Sequence, residues 1–263
     1  TQPHMRQYQC LSRQEFRSGD FHIEPIRDED QLSIMTIRNE QLYHLRQAEP
    51  LTPEKQAQYF STVVAGLFIQ EKPSQLLFSF FENNQFVGYG GLVHINWIDR
   101  NAEISFVMKT QLEKDHFSRY WSNYLNLIEQ VAFSELNFHK IFTYAFDLRP
   151  HLYTMLEASG YREEARLKEH CYFDGHFLDV VYHAKINREI SFRKAAASDM
   201  MTYFDWTNDA SVRENSYQSK PIALEDHQNW FNNKINDDNC LMLIFEDHVQ
   251  KPIGQVRIQK GND

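Results

Sequence analysis

The sequence predicts an α/β fold (α+β in its segregation of hairpins and helices): one mixed, mainly antiparallel sheet with helices on both faces, followed by the front half of a second copy. Three observations carry this. Segments of strand and helix character follow one another as β-α-α-β-β-β-α-β-α-β-β. Two strand-to-helix links require crossovers, which hairpins alone do not supply. The opening pattern of strand and helices then returns after Ile190.

Taken in order, residues 1–20 read as a polar lead-in without the apolar run of a signal peptide. Phe21 to Arg27 reads as a short strand, and Asp28 to Asp30 offers N-caps for a helix through Ile34, Ile37 and Arg38. A second helix follows Leu51, with Thr52 as N-cap and Pro53 at the first helical position. Leu76 to Phe81 and Phe86 to Trp97 alternate as strands across the polar turn Glu82-Asn83-Asn84-Gln85, and Ala102 to Met108 is a third. Trp121, Tyr124, Leu125, Ile128, Val131 and Ala132 recur at helical spacing and mark a long amphipathic helix. Strand Lys140 to Phe146, helix His151 to Ser159, and strands Glu169 to Phe173 and Phe177 to Ala184 complete the run.

The repeat is specific in its spacing. Asp199 precedes Asn208-Asp209 by nine residues, as Asp30 precedes Asn39-Glu40. Ile222 to Phe231 lies over Leu51 to Phe60, and Cys240 to Phe245 with Pro252 to Arg257 lies over the strand pair that holds Val87-Gly88-Tyr89-Gly90. The expected organisation is a lead-in (1–20), a complete domain (21–187) and a half-copy (188–263) with three strands and two helices, ending near the counterpart of Asp99. A half-sheet leaves an apolar face and an edge to be covered. Trp206, Trp230, Phe231 and the Cys240–Phe245 strand are expected to pack on the first domain or a partner.

Bulk properties exclude several classes. With 263 residues, 42% hydrophobic and 14% aromatic, the chain has ample core and is not a disordered chain. A net charge of -9 argues against a general nucleic-acid or membrane-surface binder, so an anionic ligand must be met locally. No apolar stretch approaches the ~20 residues that span a bilayer. Cys10, Cys171 and Cys240 are sparse and have no metal-ligand spacing, which points to a reducing, cytoplasmic setting with no metal and no disulfide frame. A homo-oligomer is compatible with these features.

Several strings, in this order, resemble the GNAT N-acetyltransferases: Asn101-Ala102-Glu103-Ile104-Ser105-Phe106-Val107, Leu136-Asn137-Phe138-His139-Lys140-Ile141 and Met155-Leu156-Glu157-Ala158-Ser159-Gly160-Tyr161. The hairpin Phe173 to Val181 is similar to that of the branch holding ribosomal-protein N-terminal acetyltransferases and pseudaminic-acid amino-sugar acetyltransferases. In the second copy, Asn208 to Arg213 and Glu225 to Phe231 look like the amino-sugar enzymes. The resemblance covers Phe21 to about Lys185 and, in truncated form, Ile190 to Asp263.

The resemblance implies acetyl-CoA as co-substrate and direct attack of an amine on its thioester. It places the cofactor against Phe106, Val107, Met108 and Lys109 and against the loop Lys114, Asp115, His116, Phe117, Ser118 and Arg119, where helix N–H groups favour an anion. Both glycines of the family's phosphate loop are replaced, by His116 and Ser118, so Lys109, Lys114 and Arg119 are the charge partners left. Arg149 stands where an asparagine is common. Glu103 is the expected general base, directly or through water, with His94 as alternative. Leu156 occupies the usual tyrosine position, and Tyr153, on nearly the same helix face, is the candidate to protonate the thiolate. Asn39, Glu40, Arg46 and Gln47 line the acceptor side, where Arg-Gln suits a polar or phosphorylated group. The expected activity is acyl-CoA-dependent N-acylation of a small polar amine, an amino sugar or nucleotide-linked amino sugar first. Acetylation of a protein N-terminus and a non-catalytic binding or assembly module are the alternatives.

Overall fold

The computed structural model describes residues 6–261, which divide into two compact units meeting at Asn187 and Arg188. In the first, an eight-stranded sheet runs β1 (Phe16–Ser18), β2 (Phe21–Pro25), β3 (Leu76–Glu82), β4 (Gln85–Asn96), β5 (Asn101–Met108), β6 (Lys140–Phe146), then β8 (His176–Ile186) and β7 (Arg162–Phe173) at the far edge. Every neighbouring pair is antiparallel except β5 and β6. The turn between β3 and β4 is the two-residue kind, with Asn83 and Asn84 both at positive φ, 47° and 63°. Asparagine tolerates that region, and such turns match strand twist.

Strand alternation divides the side chains between two helical layers. One face presents Phe80 and Phe106 to the long helix, α5 (Phe117–Glu129), which follows the short α4 (Thr110–Asp115) and ends in a π-helical turn, Gln130–Glu135. Phe106 and Tyr124 stack at 4.0 Å. Gly90, opposite Phe106 in the ladder, leaves the room that lets the Tyr124 hydroxyl reach Ser105 O at 2.6 Å. The other face presents Ser79 and Tyr89 to α1 (Gln31–Glu40). There α2 (Pro53–Tyr59) continues through a π-helical turn into α3 (Ala65–Leu67). Thr52 caps α2 by accepting from Lys55 N, as its sequence signature requires. Asp30, expected as the cap of α1, instead binds Arg27 through two bonds and accepts from Ser79 Oγ. A short 3₁₀ turn, Asp28–Asp30, leads into the helix in its place. The last helix of the unit is α6 (Pro150–Ala158).

The lead-in is not separate from the first unit. Tyr8, Leu11 and Phe16 are buried, β1 pairs with β2, and the Tyr8 ring stacks on Phe68 at 4.4 Å. Its mean polarity hid three well-spaced apolar anchors.

The second unit is a three-stranded antiparallel sheet in the order β11 (Pro252–Gln259), β10 (Cys240–Asp247), β9 (Ile190–Lys194), with α7 (Met200–Thr207), α8 (Ala210–Glu214) and α9 (Leu224–Ile235). Tyr203, Phe231, Met242 and Ile244 form its own core. Phe231 is thus fully buried within its own unit rather than offered to another surface, because α9 closes over β10. The opposite face of the sheet carries Phe192, Val256 and Ile258, all exposed.

Candidate active site

The site originates in a lapse of pairing. Strands β5 and β6 run in register only at Asn101–Lys140, Ala102–Ile141 and Glu103–Phe142. Beyond Glu103 they part, and the gap is a cavity of about 120 Å³ lined by Glu103–Val107 on one strand and Thr143–Phe146 on the other. A cavity of that size holds several waters or a small acyl group. Backbone groups on the β6 side of β5 have no strand partner there, so they are open to a carbonyl or amide of a ligand.

Glu103 is 5% exposed, on the Tyr89 face of the sheet. Burial pushes its carboxyl above the usual range, against the opposing pull of Arg46 and His94. One carboxylate oxygen accepts from Arg46 Nη2. The other lies 3.5 Å from His94 Nε2. His94 reaches it because β4 slips register between Val93 and Asn96 and His94 takes a positive φ of 49°. Both base candidates of the sequence therefore meet at one point, with His94 on the outer, solvent side.

Arg38, which sequence reasoning passed over as a helix residue, lines the cavity with its Nε on Gln47 Oε1 at 2.8 Å and its Nη1 on the Tyr89 hydroxyl at 2.6 Å. Its place in the last turn of α1 was the available signal. Tyr144 was also missed, although alternation along β6 sets it apart from Ala145. The Arg46 guanidinium lies 4.4 Å over the Tyr144 ring, and burial, together with Cys171 at 3.3 Å, pushes that hydroxyl up to about 12. His44, another lining residue, is driven down to about 3 by burial and by Arg149, so it is a neutral imidazole beside Gln41.

Other expected residues fall elsewhere. Asn39 does not face an acceptor: its amide donates to Leu51 O at 2.9 Å and its oxygen accepts from Leu51 N at 2.7 Å, clamping the segment between α1 and α2. Glu40 accepts from the Thr110 hydroxyl. Tyr153 is outside the cavity lining; its hydroxyl donates to Asp147 at 2.8 Å and its ring stacks on His183, because three positions along α6 from Leu156 turn it off the buried face.

The expected phosphate loop is helical. Without its glycines the stretch closes the turn of α4, with His116 N on Leu112 O at 2.9 Å, and α5 starts at Phe117. Lys114 and Asp115 sit on α4, and Asp115 accepts from Gln111. Arg119 is held by Glu82, away from the cavity. Phe106 and Val107 line the cavity, whereas Met108 O accepts from Gln41 and Lys109 N donates to Val87 O. Phe117, Ser118 and Arg119 form the first turn of α5, whose N–H groups lack intrahelical acceptors. Arg149 lines the cavity, paired at 2.8 Å with the buried Glu113. Remote from all this, Glu15, His22 and Glu24 bring possible metal-ligand atoms within 4.8 Å of one another, where Arg17 and Arg27 already balance the carboxylates.

A carboxylate on β5 and a long helix after it are elements the resemblance calls for, and the structure adds the parting of β5 and β6 beside them. A family model described as an acetyltransferase (GNAT) domain matches residues 23–182. The chain belongs to this family. The GNAT stretch runs from β2 into β8 and contains every residue of the cavity. Acetyl-CoA is the family's co-substrate and N-acetyl transfer its chemistry. A curated relative, the spermidine N(1)-acetyltransferase of Vibrio cholerae serotype O1, is 29% identical over 94 residues, 36% of this chain and 53% of the relative. The chain thus aligns with about half the length of that relative. Among solved structures, the spermidine N-acetyltransferase from Vibrio cholerae in complex with CoA and spermine aligns with a TM-score of 0.56 at 19% identity, over 64% of this chain and 96% of that one. A dodecameric structure of the enzyme from the same organism, in an intermediate state, aligns at 0.53 and 19%, over 64% and 95%. At these identities the likeness speaks for the GNAT fold. Among the described residues, no helix is long and apolar enough to cross a membrane.

Proposed function

We propose that the first unit acetylates a small polar amine from acetyl-CoA, with Glu103 as general base. The observation that carries this is the buried, desolvated carboxylate at the fork of β5 and β6. In an acyl-transfer site the amine proton passes to Glu103, the nitrogen lone pair attacks the thioester carbon, and the C–S bond breaks to release the thiolate. No group of this chain is acylated on the way. Free backbone groups of β5 supply hydrogen bonds to the carbonyl, and the first turn of α5 with Lys109 and Lys114 offers the pyrophosphate its partners.

The lining favours an acceptor that carries an anionic or strongly polar group. Arg38, Arg46 and Arg149 line the cavity against Glu103 as its lining carboxylate. Such a wall disfavours a polycation of the spermidine type, the substrate named for the relatives, and suits an amino sugar or its nucleotide-linked form. Thiol release from acetyl-CoA, measured with amino sugars, amino-sugar phosphates, spermidine and a peptide N-terminus, tests this. Turnover with spermidine above the sugars would overturn the acceptor reading.

We further infer that the second unit is a front-half copy of the same fold. Four details support it. Asn208 clamps Ile222 through the same two bonds that Asn39 makes to Leu51. His227 meets Met200 O as Gln56 meets Gln31 O. Ala195 N bonds Met242 O as Ile26 N bonds Leu77 O. A 3₁₀ turn ending in an arginine-bound aspartate precedes α7 as it does α1.

A further inference from the structure

We propose that Arg46 is a substrate-operated latch on Glu103: an anionic group on the acceptor draws the guanidinium away, and only then is the carboxylate free to take the amine proton. The inference rests on Glu103 being the base and names the feature by which the site selects its acceptor.

As it stands, the one hydrogen bond to the Glu103 carboxylate comes, among the described residues, from the Arg46 guanidinium. Arg46 occupies one oxygen and His94 faces the other at 3.5 Å. A carboxylate that accepts from a guanidinium is a poor acceptor for a further proton. Withdrawing Arg46 would lift that restraint, and the surrounding cations differ in how firmly they are held. Arg38 is fixed by Gln47 and by Tyr89. Arg149 is bound to Glu113, its side chain 12% exposed. His44 is neutral and bonded to Gln41. The Arg46 side chain is 43% exposed and rises from residues 45–52, which form neither helix nor strand. Besides Glu103 it has the face of Tyr144, 4.4 Å away, along which a planar cation can slide without losing its aromatic contact.

A phosphate or carboxylate on the acceptor offers that guanidinium a bidentate partner at the cavity mouth. Glu103 is then left among His94, Tyr144 and Tyr182, in surroundings whose desolvation already raises its proton affinity. Loss of the cation raises it further, so the carboxylate becomes a stronger base when the correct acceptor is bound. An amine without an anion meets a latched carboxylate. The balance is simple: the amine loses one proton to Glu103 and gains one acetyl group, and the thiolate leaves carrying the electrons of the broken C–S bond.

The test uses the full chain with glucosamine and glucosamine 6-phosphate as acceptors, for wild type, Arg46→Gln and Arg46→Lys, with acetyl-CoA affinity as the control for folding. Wild type is expected to favour the phosphorylated sugar in kcat/KM by at least about tenfold, the ratio one charge-assisted hydrogen bond supports. Arg46→Gln should bring the two acceptors within about twofold of each other, by raising turnover of glucosamine, and should move the acid limb of the pH profile upward. Arg46→Lys should restore part of the preference. Equal use of both sugars by wild type, an intact preference in Arg46→Gln, or an unmoved acid limb overturns the latch while leaving Glu103 as base. Absence of acetyl transfer to either sugar by wild type, or unchanged turnover in Glu103→Gln, overturns both readings.

Discussion

Replacing Tyr8 by Phe tests whether the N-terminal segment is part of the first unit, and its cost can be worked from three bonds. The Tyr8 hydroxyl accepts from Leu77 N at 2.8 Å and donates to Leu77 O at 2.7 Å. The carbonyl has a second donor, Ile26 N at 3.0 Å, whereas the hydroxyl is the partner of the Leu77 N–H past the end of the β2–β3 ladder. Tyr8→Phe preserves the ring and its stack on Phe68 but strands that N–H in the core. A buried donor left without a partner costs about 1–3 kcal/mol. For a unit of this size each kcal/mol lowers Tm by about 2–4 °C, so a loss near 2 kcal/mol appears as about 4–8 °C. Circular dichroism of thermal unfolding, with urea titration for the free energy, reads both. A change below about 0.5 kcal/mol would refute the reasoning, since the strand end would then be satisfied without the hydroxyl.

Glu103→Gln should lower kcat by about a hundredfold or more while acetyl-CoA affinity stays within about twofold, because a base acts in the chemical step and not in ground-state binding; calorimetry and thiol release separate the two. In Gly90→Ala the new methyl would lie 2.1 Å from Ser105 O and 2.5 Å from the Tyr124 hydroxyl, so a loss of about 1–3 kcal/mol in urea unfolding is expected. Asp199, whose carboxyl is held below its usual value mainly by its bonds to Arg193, should stabilise the second unit fully above the unfolded value near 3.8 and progressively less as pH falls through the lower folded value. Acid titration of Asp199→Asn, expected to be less stable than wild type at neutral pH and to lose that difference in acid, checks the sign.

Periodicity made most of the framework legible. Strand β6 lies where its alternation places it, Thr52 and Pro53 start α2, and the aromatic spacing from Trp121 marks α5. These are local patterns, and a strand or helix face is written within a few residues. The proposed repeat rests on the same kind of local pattern, a spacing of residue types that returns after Ile190.

What sequence could not supply was the meeting of segments far apart in the chain. Tyr8 is anchored by a strand 69 residues away, so a mean reading of polarity made the lead-in look detached. Asn39 looked like a ligand contact until its clamp on Leu51 appeared, and Tyr153 lost its place at the cavity to the rotation of α6. By itself, then, the sequence determined the order of elements, the GNAT resemblance and Glu103 as the base candidate. The tertiary structure alone decided that β5 and β6 part just beyond that residue, that α4 replaces an open phosphate loop, and that Arg46 sits on the carboxylate. The reason is physical: periodicity records which way a side chain points within its own element, whereas a pKa, a cavity and an ion pair arise from what other elements bring beside it.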